Sequence, residues 1–247
     1  MLFKINDIEH FLFIDIETAS ITPTYEELSP EWQDHWNRKH EALYRNANTD
    51  LTPATSYPER AAIFGEFGRI ICISCGFLRF DEKNNSEAYI KTFFDIEEKK
   101  VLEAFYDMAV KHFAKNSDAT HRFCGHNIKE FDLPYICRRF AANGILPLKN
   151  PFVFYNKRPW DLPHIDTLEL WKFGDQKNYT RLDLIASVLG IESPKGDLDG
   201  SKVGHCFHHE KDYERIQRYC EADVKAVMNI INKLNGLPPV QAIHTRS

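Results

Sequence analysis

Apolar residues fill Phe11-Leu12-Phe13-Ile14 and lead into Asp15-Ile16-Glu17-Thr18, a pattern that predicts a buried strand. Side chains alternate faces along a strand, so Asp15 and Glu17 share a face with Phe11 and Phe13. Two further β-rich runs cover 68–80 and 87–94, and the polar stretch 81–86 between them predicts a hairpin. Lys99 to Lys115 then places Val101, Leu102, Phe105, Met108, Ala109 and Phe113 at helical spacing. His121 to Asn127 reads as a short strand, and Glu130 to Asn143 as a helix stopped by Gly144. His164 to Thr167 reads as a last short strand with a helical turn through Trp171. Arg181 to Leu189 is a helix closed by Gly190, and Asp212 to Leu234 is a long final helix. Three strands followed by alternating helix and strand predict an α/β fold, a mixed sheet with helices on both faces.

Residues 21–66 interrupt that order. Glu26 to Asn46 carries Trp32, Trp36, Leu43 and Tyr44 at near-helical spacing, a polar helix with one aromatic stripe, while Thr52 to Pro58 reads as loop. The expectation is a largely helical insertion at about 21–66 that covers the core of a single domain over 1–247; the alternative is a lid or a strand-guiding element. With 43 % hydrophobic and 13 % aromatic residues the chain has material for a sizeable core. No run reaches the length of a membrane span, and the N-terminus lacks a signal-peptide pattern, so the expectation is a cytoplasmic chain with no membrane partner. Six cysteines scattered among apolar residues read as reduced core thiols. A formal net charge of −5 removes the global basic signature of a nucleic-acid binder, although an acidic cation site lowers net charge by itself.

The chemistry sits where the apolar pattern is broken by acids. Asp15 and Glu17 on one face of an apolar strand repel each other and resist desolvation, which a pair of divalent cations compensates best. The alternative is a loop at Glu17, with Asp15 capping a neighbouring helix. On the final helix Ile216, Tyr219, Cys220, Asp223, Val227, Ile230, Ile231 and Leu234 form one face. That face includes Asp223, one turn after Tyr219; an ordinary buried ion pair is the competing explanation. Between them lies Gly125-His126-Asn127-Ile128-Lys129-Glu130-Phe131-Asp132-Leu133-Pro134-Tyr135. Asp132 falls in a first helical turn, where capping would also explain it, and Asn127 could simply satisfy turn backbone.

Asp15-Ile16-Glu17, then Asn127 with Phe131-Asp132, then Tyr219 with Asp223, in this order, resemble the three motifs of DEDD-type 3′–5′ exonucleases. The tyrosine four residues before the last aspartate marks the tyrosine-bearing subgroup. The Gly125–Tyr135 stretch is especially similar to the exonuclease domain of family-B DNA polymerases. The resemblance spans residues 11 to about 234 and implies a ribonuclease-H-like fold. It also implies hydrolysis from the free 3′ end of a nucleic acid, here single-stranded DNA, with two Mg²⁺ or Mn²⁺ ions. By the same resemblance Asp15 bridges both ions, Glu17 and Asp223 complete the first site, and Asp132 holds the second. Tyr219 orients the attacking water, and Thr18, Asn127 and Phe131 contact the terminal nucleotide. No polymerase domain accompanies the motifs, so the expectation is a free-standing enzyme or one acting in trans. An exoribonuclease of the same superfamily, or a non-catalytic module binding nucleic-acid ends or a protein, are the competing expectations.

Other patterns carry less. Cys72-x-x-Cys75 has zinc-like spacing, but residues three apart on a strand face opposite sides. His205, His208 and His209 flank Cys206 in a stretch that reads as loop. Asp166 sits at a strand–helix junction as an ordinary N-cap. Lys172, Lys177, Arg181, Lys195 and Lys202 form a basic stretch that either approaches phosphates or is simply solvated.

Overall fold

The computed structural model describes residues 2–114, 121–154, 156–175, 179–192 and 198–246. Among them the strands are β1 (Phe11–Ser20), β2 (Gly68–Phe80), β3 (Ser86–Phe94), β4 (Arg122–Gly125), β5 (Ile165–Asp166) and β6 (Ala242–Arg246). They form one six-stranded sheet in the order β5-β4-β1-β2-β3-β6. β1, β2 and β3 run antiparallel in turn, while β4 joins β1, β5 joins β4 and β6 joins β3 in parallel.

The two faces of the sheet bury different halves of the alternation. Leu12, Ile14 and Ile16 point toward α4 (Glu98–Ala114) and α5 (Asp132–Ala142), where Leu102, Phe105, Leu133 and Phe140 meet them. Phe11 and Phe13 point the other way, against Val224, Val227 and Met228 of α9 (Tyr213–Leu234). Cys75 belongs to the first cluster and Cys72 to one containing Cys220, so the Cys72-x-x-Cys75 pair is divided between faces as strand geometry requires. All six cysteines are free thiols. Helices on both faces of a mixed sheet agree with the expected α/β class.

Several boundaries differ from the sequence reading. Residues 53–60 are not loop but a helix, α3 (Pro53–Arg60). Thr52 and Thr55 close a capping box around Pro53, which sits at the helix start where its missing N–H costs nothing. The preceding helix, α2 (Pro30–Tyr44), buries only Trp36 of its aromatic stripe, and Trp32 and Leu43 are both 37 % exposed. Trp36 and Tyr57 pack edge to face with Leu28, Ala61 and Phe67 around them, giving 21–67 an apolar cluster of its own. A short helix, α1 (Ile5–Ile8), precedes β1, and the last strand β6 was not anticipated. The expected strand at 164–167 is reduced to β5, with α6 (Thr167–Lys172) directly after it. The helix read over 181–189 is α7 (Leu182–Val188). The 205–209 stretch is not loop: α8 (Val203–His205) runs into a π-helical turn, Cys206–Glu210. Among the described residues no helix is long and apolar enough to cross a membrane.

Two buried polar connections tie the 21–67 segment to the sheet layer. Arg139 forms a two-pronged ion pair with Glu98 at 2.8 and 2.6 Å and donates to the Gly65 carbonyl at 2.9 Å. Tyr135, buried on α5, donates its hydroxyl to the Ala62 carbonyl at 2.8 Å and is hydrogen-bonded by Thr18. Gly68 makes room for this, since a β-carbon there would overlap the Tyr135 hydroxyl. Tyr135→Phe keeps the ring and strands the Ala62 carbonyl. It should cost about 1–2 kcal/mol, read as a lower urea midpoint with an unchanged slope. An unchanged midpoint would mean that water replaces the phenol.

Candidate active site

β1 delivers the first two carboxylates. Its register with β2 sets Asp15 opposite Ser74 and Glu17 opposite Cys72, and a bulge follows at Glu17/Thr18. Both acids therefore lie on the α9 side of the sheet before the strand kinks. One turn of α9 brings Cys220 against them. Its thiol donates to Asp15 Oδ2 at 3.4 Å and to the Asp15 carbonyl at 3.5 Å. One ligand atom from each of Asp15, Glu17 and Cys220 lies within 4.8 Å of the others.

Asp223 follows Tyr219 and Cys220 on the same helix face. Its carboxylate accepts a hydrogen bond from Tyr219, and its Oδ1 is buried without a hydrogen-bond partner. Asp132 arrives from the opposite face of the sheet. It opens α5 but does not cap it through the preceding residue; its Oδ1 accepts the Ile16 backbone N–H at 3.2 Å instead. That bond fixes the Asp132 carboxylate against β1 between Asp15 and Glu17. The structure thus brings Asp15, Glu17, Asp132, Tyr219 and Asp223 together.

Their electrostatics record the crowding. Burial raises the Asp15 carboxyl well above the usual range, with Asp223 and then Asp132 adding repulsion. Burial likewise raises Glu17, reinforced by Asp15 and Asp223. Burial pushes Asp132 up to about 8 and Asp223 up to about 7. Burial also raises the Tyr219 phenol, with Asp223 next in effect, so it stays protonated near neutral pH. No cation among the described side chains offsets these acids within the group.

The remaining candidates are placed differently. Thr18 has its hydroxyl engaged with Tyr135. Asn127 adopts a left-handed conformation (φ 61°) that asparagine tolerates, and turns the chain from β4 toward α5. Its backbone N–H and that of Lys129 are both held by Asp166, at 2.8 and 3.2 Å. Asp166 also caps α6 through the Leu168 N–H at 3.0 Å, as an N-cap should. Phe131 is half-buried against Tyr135. Three contributors escaped the sequence reading: the Cys220 thiol, Asp183 of α7, whose charge further raises Asp223, and His126. His126 bridges Thr167 and the Thr180 carbonyl, at 3.0 and 2.9 Å. A carbonyl only accepts, so Nε2 carries the proton, and burial lowers the ring to about 4. Cys220 was visible on the same helix face but indistinguishable from its apolar neighbours.

The histidines of the 205–209 stretch are engaged with other groups of the protein. His208 bonds the Ser20 carbonyl at 3.0 Å and His205 pairs with Glu210 at 3.2 Å. Of the basic stretch, Lys177 and Lys195 lie outside the described residues; Arg181 pairs with Asp183 at 3.3 Å, and Lys172 and Lys202 are at least partly exposed.

The fold has counterparts among solved structures. The family B DNA polymerase of the archaeon Pyrobaculum calidifontis aligns at 16 % identity and a TM-score of 0.54. The alignment covers 91 % of this chain and 24 % of the polymerase, so this chain spans a minor part of that protein. E. coli Exonuclease I in complex with a dT13 oligonucleotide aligns at 14 % identity and a TM-score of 0.38, over 91 % of this chain and 40 % of that one. No curated protein sequence matches. A family model for the RNase_H superfamily matches residues 62–235, from just before β2 to the end of α9. That match covers most of the chain, and the mixed sheet agrees with it: the chain belongs to the RNase_H superfamily.

Proposed function

We propose that this protein is a metal-dependent 3′–5′ exonuclease of the tyrosine-bearing DEDD type, releasing nucleoside 5′-monophosphates from the 3′ end of single-stranded DNA. The observation that carries the reading is the convergence of Asp15, Glu17, Asp132 and Asp223 from β1, α5 and α9. Four crowded carboxylates with no cationic side chain among them are unstable as anions, and divalent cations are what such oxygen ligands suit. The donor set fits: hard oxygens throughout, with the unpartnered Oδ1 of Asp223 free to ligate.

Asp15, Glu17, Asp132 and Asp223 would hold two Mg²⁺ or Mn²⁺ ions through their carboxylate oxygens. When bound, such a pair supplies activation of water and neutralisation of phosphate charge. The chain's own groups position the rest. Tyr219, protonated and one turn from Asp223, holds the attacking water by hydrogen bond, not by taking its proton. The Asp166 grip on Asn127 and Lys129 fixes the turn that presents Asn127 and Phe131 to the terminal nucleotide. Residues 21–66 form an insertion in a single domain, tied to the sheet layer through the Ala62 and Gly65 carbonyls.

Tyr219→Phe should slow hydrolysis about tenfold while leaving metal dependence intact, as expected for one lost hydrogen bond of about 1.5 kcal/mol. A single-turnover rate equal to wild type would remove Tyr219 from the mechanism. The test of the whole reading is Mn²⁺-dependent digestion of 5′-labelled single-stranded DNA beside matched RNA, with and without chelator. A ladder shortening from the 3′ end of DNA, abolished by chelator, is expected. Degradation of RNA alone would make the protein an exoribonuclease, and cleavage of neither strand would reject the enzyme reading.

A further inference from the structure

The oxygen ligands of the cluster explain a preference for hard cations, but the thiol in their midst does not. Cys220 is fully buried on α9, and its Sγ stands 3.4 Å from Asp15 Oδ2. In a tetrahedral zinc site, with Zn–S about 2.3 Å and Zn–O about 2.0 Å, a thiolate sulfur and a carboxylate oxygen stand about 3.5 Å apart. The Cys220–Asp15 spacing, set here by their hydrogen bond, is one that a tetrahedral site of this kind can keep. Glu17 supplies a further oxygen inside the same 4.8 Å group. The unpartnered Oδ1 of Asp223, one turn along α9, offers a fourth.

We infer that Asp15, Glu17 and Cys220 form a site for a soft divalent cation of the Zn²⁺ or Cd²⁺ class, overlapping the hard-cation site and exclusive with it. The inference rests on the reading of Asp15 and Glu17 as cation ligands. Without a cation the thiol keeps its proton, donating it to Asp15; uptake of Zn²⁺ or Cd²⁺ forms the metal–sulfur bond and releases that proton to solvent. A cation held this way occupies the carboxylates that the hydrolytic ions need. Zn²⁺ should therefore displace Mn²⁺ from the protein and oppose hydrolysis.

The direct test is cadmium titration of the intact, metal-free protein, followed by thiolate-to-cadmium charge-transfer absorbance and by calorimetry, with no substrate present. Wild type should develop the band and saturate at one ion per chain. Cys220→Ser should lose the band, and Asp15→Asn and Glu17→Gln should each weaken binding at least about tenfold, with thermal melts confirming that the variants fold. Absence of the band in wild type, its survival in Cys220→Ser, or tight binding unchanged in both carboxylate variants would each overturn the shared site. If Cys220→Ser fails to fold, the two carboxylate variants decide. The titration needs no hydrolysis, so an inactive protein that binds cadmium through this band would reject the exonuclease reading and leave this site standing.

Discussion

Asp15→Asn is expected to lower single-turnover release from the 3′ end by about three orders of magnitude or more, a barrier increase of about 4 kcal/mol. Asparagine is isosteric, still sits opposite Ser74 on β1, and can still accept the Cys220 S–H. On the proposed two-cation reading, what it lacks is the negative charge and the second anionic oxygen that would let one side chain serve two cations. A replacement elsewhere among these acids removes a donor from one site; at Asp15 it weakens both. The same substitution should raise the melting temperature of the metal-free protein, since burial and repulsion from Asp223 and Asp132 make the charged form of Asp15 costly, a cost a neutral asparagine does not carry. Loss of activity with gain of stability separates a catalytic role from a structural one, because a structural carboxylate loses both together. Wild-type turnover in Asp15→Asn would end the two-cation assignment, and a large drop in melting temperature would make Asp15 a fold residue.

How much of this was legible depended on whether the signal was local. β2 was read at its observed limits because a dense β-branched run is bounded by Gly68 and by the Asp81 turn, whose carboxylate holds the Lys83 and Asn85 N–H groups at 2.8 Å. The α9 face was legible because its acid and tyrosine interrupt an otherwise apolar stripe at helical spacing. β6 was not legible. Five residues with no turn signal pair in parallel with β3, and that pairing is set by tertiary docking, not by local pattern. The π-turn at Cys206–Glu210 was hidden because one extra residue in a helical turn leaves no mark on side-chain type. α3 was misread because Pro53 and Pro58 look like breakers, and only the capping box shows that the first of them starts a helix. In the site, the acids were legible as residues out of place. The grip of Asp132 on Ile16 and the approach of Cys220 to Asp15 depend on three elements meeting, which no window of sequence contains.

The crowding of those acids makes a second large effect testable without any substrate. In chelator, the protein should lose stability as the pH is raised from about 5 to about 9, and Mg²⁺ or Mn²⁺ should restore most of the loss. An ordinary carboxyl releases its proton near pH 4, whereas the folded protein holds Asp223 up to about 7 and Asp132 up to about 8. Between those limits the folded state binds protons that the unfolded chain has already given up, so stability falls as pH rises. Asp223 alone accounts for about 4 kcal/mol of that fall by pH 8, at about 1.4 kcal/mol per tenfold difference. For a chain of this length that corresponds to a drop of about 10 °C in melting temperature. A divalent cation binds only the folded arrangement and reverses the sign of the local field, so it should flatten the profile. Asp15→Asn should flatten it as well, by removing one carboxyl that burial holds protonated in the folded state. Melting curves at several pH values, in chelator and in millimolar Mg²⁺, provide the measurement. A profile that rises with pH, or one equally steep with and without the cation, would show that these carboxylates are neither strained nor cation ligands.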